Sequence, residues 1–365
     1  MKNLFFLFVI TLCSVNLQAQ YEFKHTSDLE CSPIKNQART GTCWSFATSS
    51  FIESELLRMG KGEHNLSEMF VVRNIYMDKA RNYVLRQGKA NFSQGSLSHD
   101  LMRIMKRDGV VPESVYSGLT EDQKAHDHSE MEAGMKGFLD GVIKSKRLSK
   151  KWSTALDCIL DTYMGDFPAS FEYQGKKTTP VALSKDLGLD ADNYVGLTSF
   201  THHPLHEKFI LEIPDNYSNG SYYNVPLDEL MQTIDNAVEK GYTIAWDGDV
   251  SEKGFDAKKG IAVLPAKPGR EDLFDVPGEE IEVTAENRQD NFESFSTTDD
   301  HLMHIVGMAK DQKGTEYYII KNSWGTISPY KGYLYMSKSY MAMKTVAIMV
   351  HKDVLSERVR KNLTD

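Results

Sequence analysis

Residues 43–58, CWSFATSSFIESELLR, constrain the fold more than any other stretch of the chain. Read at helical spacing, they put apolar or small residues on nearly every side, so the helix they predict has to be buried all round. Such a helix needs protein on both flanks. A chain of 365 residues can supply that, as one large core or two modest ones. With 41% hydrophobic and 25% charged residues the composition is that of an ordinary globular protein. The formal charge of −9 argues against nucleic acid as the main partner, since phosphate binding needs a basic face.

The order of the remaining patterns sets the fold class. Residues 66–84 and 98–108 read as further helices, the second closed by Gly109 at its C-cap and stopped before Pro112. Residues 117–165 are polar, and the run Lys144, Lys146, Arg147, Lys150 and Lys151 reads as a solvated helical face. Residues 171–214 are mixed and turn-rich. Residues 227–239 predict a helix, and 242–247 a strand behind Gly241. From Pro265 to Asp300 no periodicity is sustained, and residues 271–300 hold eleven acids against the single base Arg288. Strand-like runs then follow at 302–308, 317–321, 332–336 and 346–350. There is no repeat at a solenoid period and no low-complexity tract. Helices first and strands last predict an α+β fold of two lobes with a cleft between them. The expected divisions are a helical lobe over 20–116, an insertion over 117–225 and a strand-rich lobe over 226–365.

The first nineteen residues read as a secretory signal: Lys2 as the positive start, an apolar run over 4–15, and Leu17-Gln18-Ala19 as the small-residue exit. That run is too short to span a bilayer. The expectation is an exported protein, periplasmic or extracellular. Removing the signal leaves Cys31, Cys43 and Cys158, an odd number that excludes a disulfide scaffold. At least one thiol stays free, which turns attention to chemistry.

Three separated segments carry that chemistry: Asn36-Gln37 through Cys43-Trp44, Asp300-His301, and Lys321-Asn322-Ser323-Trp324-Gly325. A thiol nucleophile has to be a thiolate near neutral pH, well below the ~8.5 of a free cysteine. Cys43 stands where the buried helix begins, and exposed N–H groups and the helix dipole there favour an anion. His301 is the candidate base, and Asn322 can hold its second ring nitrogen. The backbone N–H of Cys43 and the side-chain amide of Gln37 are candidate oxyanion donors. His304, three residues beyond His301, faces the other side of a strand and reads as packing. His202, His203 and His206 lack a carboxylate or cysteine ligand at a usual spacing, so no metal or cofactor is expected. Five N-x-S/T sites, at Asn65, Asn91, Asn216, Asn219 and Asn362, matter only in a eukaryotic secretory route.

At these residues the chain resembles the papain superfamily of cysteine peptidases. IKNQARTGTCWSFA is similar to its nucleophile segment, DHLMHIVGMA to its histidine strand, and YIIKNSWG to its asparagine strand. The resemblance implies a papain-like two-lobed fold and peptide substrates. It implies Trp324 as an aromatic shield beside the histidine–asparagine pair, and Gly95-Ser96 as the segment that binds an extended substrate. Departures from papain narrow the branch. Thr40 replaces a usual disulfide cysteine, and too few residues precede Cys43 for an inhibitory propeptide. His301 follows Cys43 by 258 residues, against ~130–150 in the papain branch. An enlarged middle is similar instead to the bleomycin hydrolase branch, also called aminopeptidase C, as are LTSFTHHP, NVPLDELMQTIDNAVEKG and AWDGDVSEKGF.

That branch implies an aminopeptidase, with a hexameric ring as its assembly. Its own C-terminus enters the cleft and offers a carboxylate to the substrate amino group. Here the chain stops at Arg358-Val359-Arg360-Lys361-Asn362-Leu363-Thr364-Asp365, about fifteen residues short of such an arm. The alternatives are therefore an open-cleft endopeptidase, a dipeptidyl peptidase, or a non-catalytic peptide-binding homologue. Carboxylates of the acidic stretch, such as Asp299 or Glu293, are candidates to replace the terminal carboxylate.

Overall fold

The structure is a computed structural model and describes residues 20–145 and 147–364. The run at 43–58 forms α1 (Cys43–Arg58), buried continuously from Cys43 to Leu56. With no solvent face, its place is fixed by packing on every side. On one flank lie α2 (Glu68–Leu85) and α3 (Ser98–Asp108). Ser67 caps α2 by accepting the Phe70 N–H, and Gly109 ends α3 at φ 84°, where a side chain would be strained. Next, α4 (Ser129–Ile143) and α5 (Lys151–Met164) pack together and against α2. Each buries a narrow stripe at helical spacing, Met131, Met135 and Leu139 on one and Leu156, Leu160 and Met164 on the other. The basic run is not a helical face. Lys144, Arg147 and Lys150 are exposed in the connection between α4 and α5, where cations need no partner surface, and Lys146 lies outside the described residues.

The strand-rich part begins before α1 and resumes after α5. β1 (Lys24–Asp28) is followed by the hairpin β2 (Phe171–Tyr173) and β3 (Lys176–Thr178), then α6 (Pro180–Asp186), β4 (Tyr194–Thr198), β5 (Lys208–Ile210) and β6 (Ser221–Asn224). After α7 (Leu227–Glu239) come β7 (Ile244–Gly248), β8 (Phe255–Asp256), β9 (Ile261–Ala262) and α8 (Ala285–Glu293). The chain closes with β10 (His301–Lys310), β11 (Glu316–Lys321), β12 (Tyr333–Ser337), α9 (Lys338–Lys344), β13 (Thr345–His351) and α10 (Glu357–Thr364). Among the described residues eleven strands make one sheet, ordered β5-β6-β4-β13-β7-β10-β11-β12-β9-β8 with β1 on β10. Thus residues 24–28, and 194–224 from the enlarged middle, join the same sheet as the C-terminal strands.

Strand β10 is the wall between two cores. Leu302 belongs to the core built by α1, α2 and α3, whereas Met303 and Ile305 belong to the core of α7 and the strands. Alternate side chains of a strand point to opposite faces, so a strand covered on both faces reads as an unbroken apolar run. α8 escaped the sequence pattern because its surface is polar. Its start is signalled by a capping box in which Thr284 and Asn287 satisfy each other's backbone N–H groups, with Asn in place of the usual Glu or Gln.

Where α1 meets β10 and β11 the contact is polar as well as apolar. Lys35 Nζ donates to Glu53 Oε1 (2.9 Å) and Glu68 Oε1 (2.5 Å), and Ser32 donates to the second oxygen of Glu53. Lys321 Nζ donates to Ser32 Oγ (2.9 Å) and Ser50 Oγ (2.6 Å), and Ser50 pairs with His304 Nδ1 (2.9 Å). Removing one member of a buried charged pair strands the other, at about 3–5 kcal/mol. Glu53→Ala is expected to lower the unfolding free energy by about that amount, measured in urea. A loss below about 1 kcal/mol would show that this network is dispensable.

Candidate active site

Cys43 is the first residue of α1. Its preceding residue, Thr42, makes no side-chain cap, so the first N–H groups of the helix are not taken up by that side chain. The backbone N–H of Leu302 donates to the Cys43 sulfur, which sets the thiol one residue from His301 at the start of β10. Antiparallel pairing of β10 with β11, His304 opposite Lys321, brings Asn322 beside His301. Their contact is 2.8 Å from Nε2 to Oδ1. Ser323 N–H also donates to Asn322 Oδ1 (2.7 Å), which identifies that atom as the oxygen. Nε2 of a neutral His301 therefore carries the hydrogen, and Nδ1 keeps its lone pair. The Trp324 ring lies 4.5 Å from the His301 ring, tilted by 31°, and covers the pair.

Gln37 is held at three points. Its N–H donates to Ser323 O (2.9 Å), its Oε1 accepts from Ser323 Oγ (2.6 Å), and its Nε2 donates to Thr40 O (2.7 Å). The amide nitrogen has two hydrogens, so one remains after the Thr40 bond. Asn36 bridges Trp324, and Gly325 N–H donates to Lys35 O (3.1 Å). The KNSWG segment is thereby docked along residues 35–37, tying Asn322 to the loop that leads to Cys43.

A cleft of about 340 Å³ opens beside Cys43. Gly95 and Ser96 both border it, and the Ser96 hydroxyl is turned to Asp100 Oδ2 (2.6 Å). Over Gly95 lies Asp215. A Cβ built on Gly95 would stand 1.8 Å from Asp215 Oδ2, so only glycine permits that approach. Asp299 lines the same cleft, and Asp247 stands against Asp299. Glu293, in contrast, is exposed and accepts from Gln289 Nε2 (2.9 Å). Sequence reasoning missed Asp215 because it falls in a turn-rich stretch without periodicity. It also left Asp247 unremarked inside a strand.

Burial dominates the electrostatics. It pushes the Cys43 thiol up to about 12, opposed by the Leu302 N–H and reinforced by Asp299, Asp215 and Asp247. It pushes His301 down to about 4, with the Asn322 bond opposing. Both shifts disfavour an isolated charge, whereas moving the thiol proton to His301 creates two opposite charges together. Asp299 is raised to about 7, by burial first and then by Asp215. Asp247 is raised well above its usual range, by burial and by Asp299.

The other histidines stand apart. His304 is buried against α1, bonded to Ser50 and edge-on to Phe51. The expectation that the 202–206 histidines lack a carboxylate needs correction. Glu212 reaches His203 Nε2 at 2.6 Å and His202 Nε2 at 3.3 Å, brought there by the fold from outside the sequence window. These three could in principle hold a metal ion. Both Nε2 atoms already face the Glu212 carboxylate, and His206 lies instead 3.8 Å from Glu229.

This fold, with a thiol at a helix start facing a histidine-bearing strand, is the papain-like arrangement. The chain belongs to the Peptidase C1-like family, whose model matches residues 167–365, while that of the papain family cysteine proteases matches residues 18–157. An aminopeptidase G of Lactobacillus delbrueckii subsp. lactis is 24% identical over 379 residues, covering 91% of this chain and 84% of its own. An aminopeptidase C of Lactococcus lactis subsp. cremoris is 23% identical, covering 90% and 83%. The crystal structure of PepW from Lactobacillus rhamnosis HN001 superposes with a TM-score of 0.73 at 17% identity, over 93% of this chain and 84% of that one. The resemblance to the aminopeptidase C branch read from the motifs therefore holds.

The raised carboxylates give a signed pH effect. The folded state binds a proton at Asp247 more tightly than the unfolded chain, whose value is near 3.8. Its stabilising contribution is complete below that value and is lost as pH rises through the folded one. Asp247→Asn, always neutral, is expected to raise the melting temperature at pH 8 and leave it nearly unchanged at pH 4. An equal gain at both pH values would mean that ionisation of Asp247 is not the cause.

Proposed function

We propose that the chain is a cysteine aminopeptidase of short peptides, with Cys43 as nucleophile, His301 as general base and acid, Asn322 as its orienting partner and Gln37 as an oxyanion donor. One observation carries the reading: a thiol at a buried helix start stands one residue from a histidine whose far nitrogen is already fixed. The names of the relatives support the exopeptidase reaction. Trp324, tilted over the His301 ring, would exclude water from the pair, and Gly95 with Ser96 would border the bound peptide.

In this reading His301 Nδ1 takes the thiol proton and Cys43 Sγ attacks the scissile carbonyl carbon. The C–S bond forms as the carbonyl pair moves to oxygen, where the Cys43 N–H and the remaining Gln37 N–H receive it. The imidazolium protonates the leaving nitrogen, the C–N bond breaks, and a thioester remains. Water, deprotonated by His301, attacks the thioester, releases the acid and restores the thiol. No step calls on a metal or cofactor.

Export and a homo-oligomer belong to the same proposal, on the secretory pattern of residues 1–19 and on the family resemblance. Cell fractionation and size-exclusion chromatography test them. Residues 1–19 themselves lie outside the described residues.

Cys43→Ala is expected to abolish turnover while preserving the fold, since the sulfur makes the covalent bond. Purified Cys43→Ala protein retaining more than about a thousandth of wild-type activity would end the mechanism, since losing a nucleophile typically costs about a millionfold in kcat. Gln37→Ala should lower kcat by about a hundred- to a thousandfold with little change in KM. His301→Ala should be far more damaging than His304→Ala, and equal losses would move the base assignment. Mass spectrometry of a digested peptide library decides the reaction class: single residues released from free N-termini are expected, and internal fragments would favour an endopeptidase.

A further inference from the structure

The acids around the cleft differ in what already satisfies them. Asp300 accepts from Val250 N–H (2.9 Å) and Ser251 N–H (3.1 Å). Glu132 accepts from Gln94 Nε2 (2.7 Å). Asp215 has one donor, Asn91 Nδ2, at 3.2 Å on Oδ1. Asp247 is only 4% exposed, and neither of its oxygens has a donor among the described residues. Its neighbour is a second carboxyl, Asp299, whose Oδ2 is also buried without a donor. The nearby cation, buried Lys79, is directed to the Gly95 carbonyl and to Ser93 Oγ (3.4 Å), not to these acids.

Two carboxylates in contact cannot both be charged unless a proton or a cation joins them. A proton shared between Asp247 and Asp299 meets that need inside the buried pair, whereas Asp299 and Asp215 line the open cleft beside Cys43, where a cation can reach them from solvent. Asp215 also lies directly over Gly95, beside the segment along which an extended peptide would run. A substrate whose carbonyl is at Cys43 therefore meets carboxylate where its second residue would lie. The last described helix, α10, is elsewhere. Arg358 pairs with Glu229 on α7, and Val359 is buried in the strand-rich core.

We infer that Asp215 and Asp299, backed by Asp247, bind the α-ammonium group of a peptide substrate, and that Asp215 on Gly95 closes the cleft after one substrate residue. This rests on the aminopeptidase reading and names the groups that enforce it. The ligand is a primary ammonium one residue from a scissile amide. Its N–H donors meet the cleft-facing carboxylates of Asp215 and Asp299, and its charge offsets their mutual repulsion.

The test compares an aminoacyl anilide with its N-acetyl derivative, on wild type and on Asp215→Asn, Asp299→Asn and Glu293→Gln. A charge-assisted bond of this kind corresponds to roughly a ten- to a hundredfold preference. Wild type should prefer the free amine by at least that factor in kcat/KM. Each Asp→Asn change should shrink the preference by a similar factor, and Glu293→Gln should retain it. Asp215→Ala, which uncovers Gly95, should begin to release dipeptides. In case a variant does not fold, wild type provides a direct readout: leucinamide should inhibit hydrolysis of the anilide competitively, and N-acetyl-leucinamide should not. Blocked peptides cut by wild type at internal bonds would overturn the aminopeptidase reading itself. Single-residue release by wild type, with the amine preference intact in both Asn variants or equal inhibition by the two amides, would overturn the anchor alone.

Discussion

Everything at the site hangs on the complete burial of α1. A helix with no solvent face cannot be placed by amphipathic preference, so it is positioned by what packs around it. On one side that is α2 and α3, on the other β7 and β10. The interface with the strands contains the chain Glu68, Lys35, Glu53, Ser32, Lys321, Ser50 and His304. A uniformly apolar interface would tolerate sliding along the strand. Directional bonds between fixed heads do not, and register is the best-attested use of buried polar groups. The first residue of α1 is consequently set against the first residues of β10.

The same burial shapes the reactivity. Cys43 and His301 are each pushed toward neutrality by loss of water, in opposite directions on the pH scale. Geometry compensates in part: the start of α1 offers helix N–H groups, and Leu302 contributes a backbone donor to the sulfur. Gln37 and Asn322 are in turn immobilised by Ser323, whose hydroxyl, N–H and carbonyl reach both residues. One serine in the KNSWG segment thus couples Gln37 to Asn322 and, through it, to His301.

Much of this was legible in the sequence because it depends on local pattern. α1, α3 and α7 begin and end where their residues predict, and β10 announces itself as an apolar run because it is covered on both faces. Cys43, His301 and Asn322 sit in short segments whose chemistry is recognisable on its own. What the sequence hid depends on contacts between distant residues. Glu212 reaches the histidines from the irregular stretch after β5, and α8 has a polar surface that gives no period. Asp215 becomes significant only when residue 95, 120 positions earlier, proves to be the glycine beneath it. The acidic stretch before His301 divides in the same way: Asp299 reaches the cleft, Glu293 stays at the surface, and Arg288 is buried, donating to the carbonyls of Ser199 (2.9 Å) and Ala342 (2.8 Å).

Acids beside a thiol proposed as the nucleophile look counterproductive, because Asp299, Asp215 and Asp247 each raise the Cys43 thiol further. The arrangement makes sense if the cleft is complete only when occupied. A substrate ammonium among those carboxylates cancels the field that opposes the thiolate, so binding the correct end of a peptide also favours ionisation of the nucleophile. A blocked peptide loses that contact and meets a less reactive sulfur as well. Selectivity for a free N-terminus then lies in the chemical step as much as in affinity, which is where binding interactions are most effective in an enzyme. An open cleft without the acids would hold a more reactive resting thiol, one equally ready to attack any carbonyl that reached it.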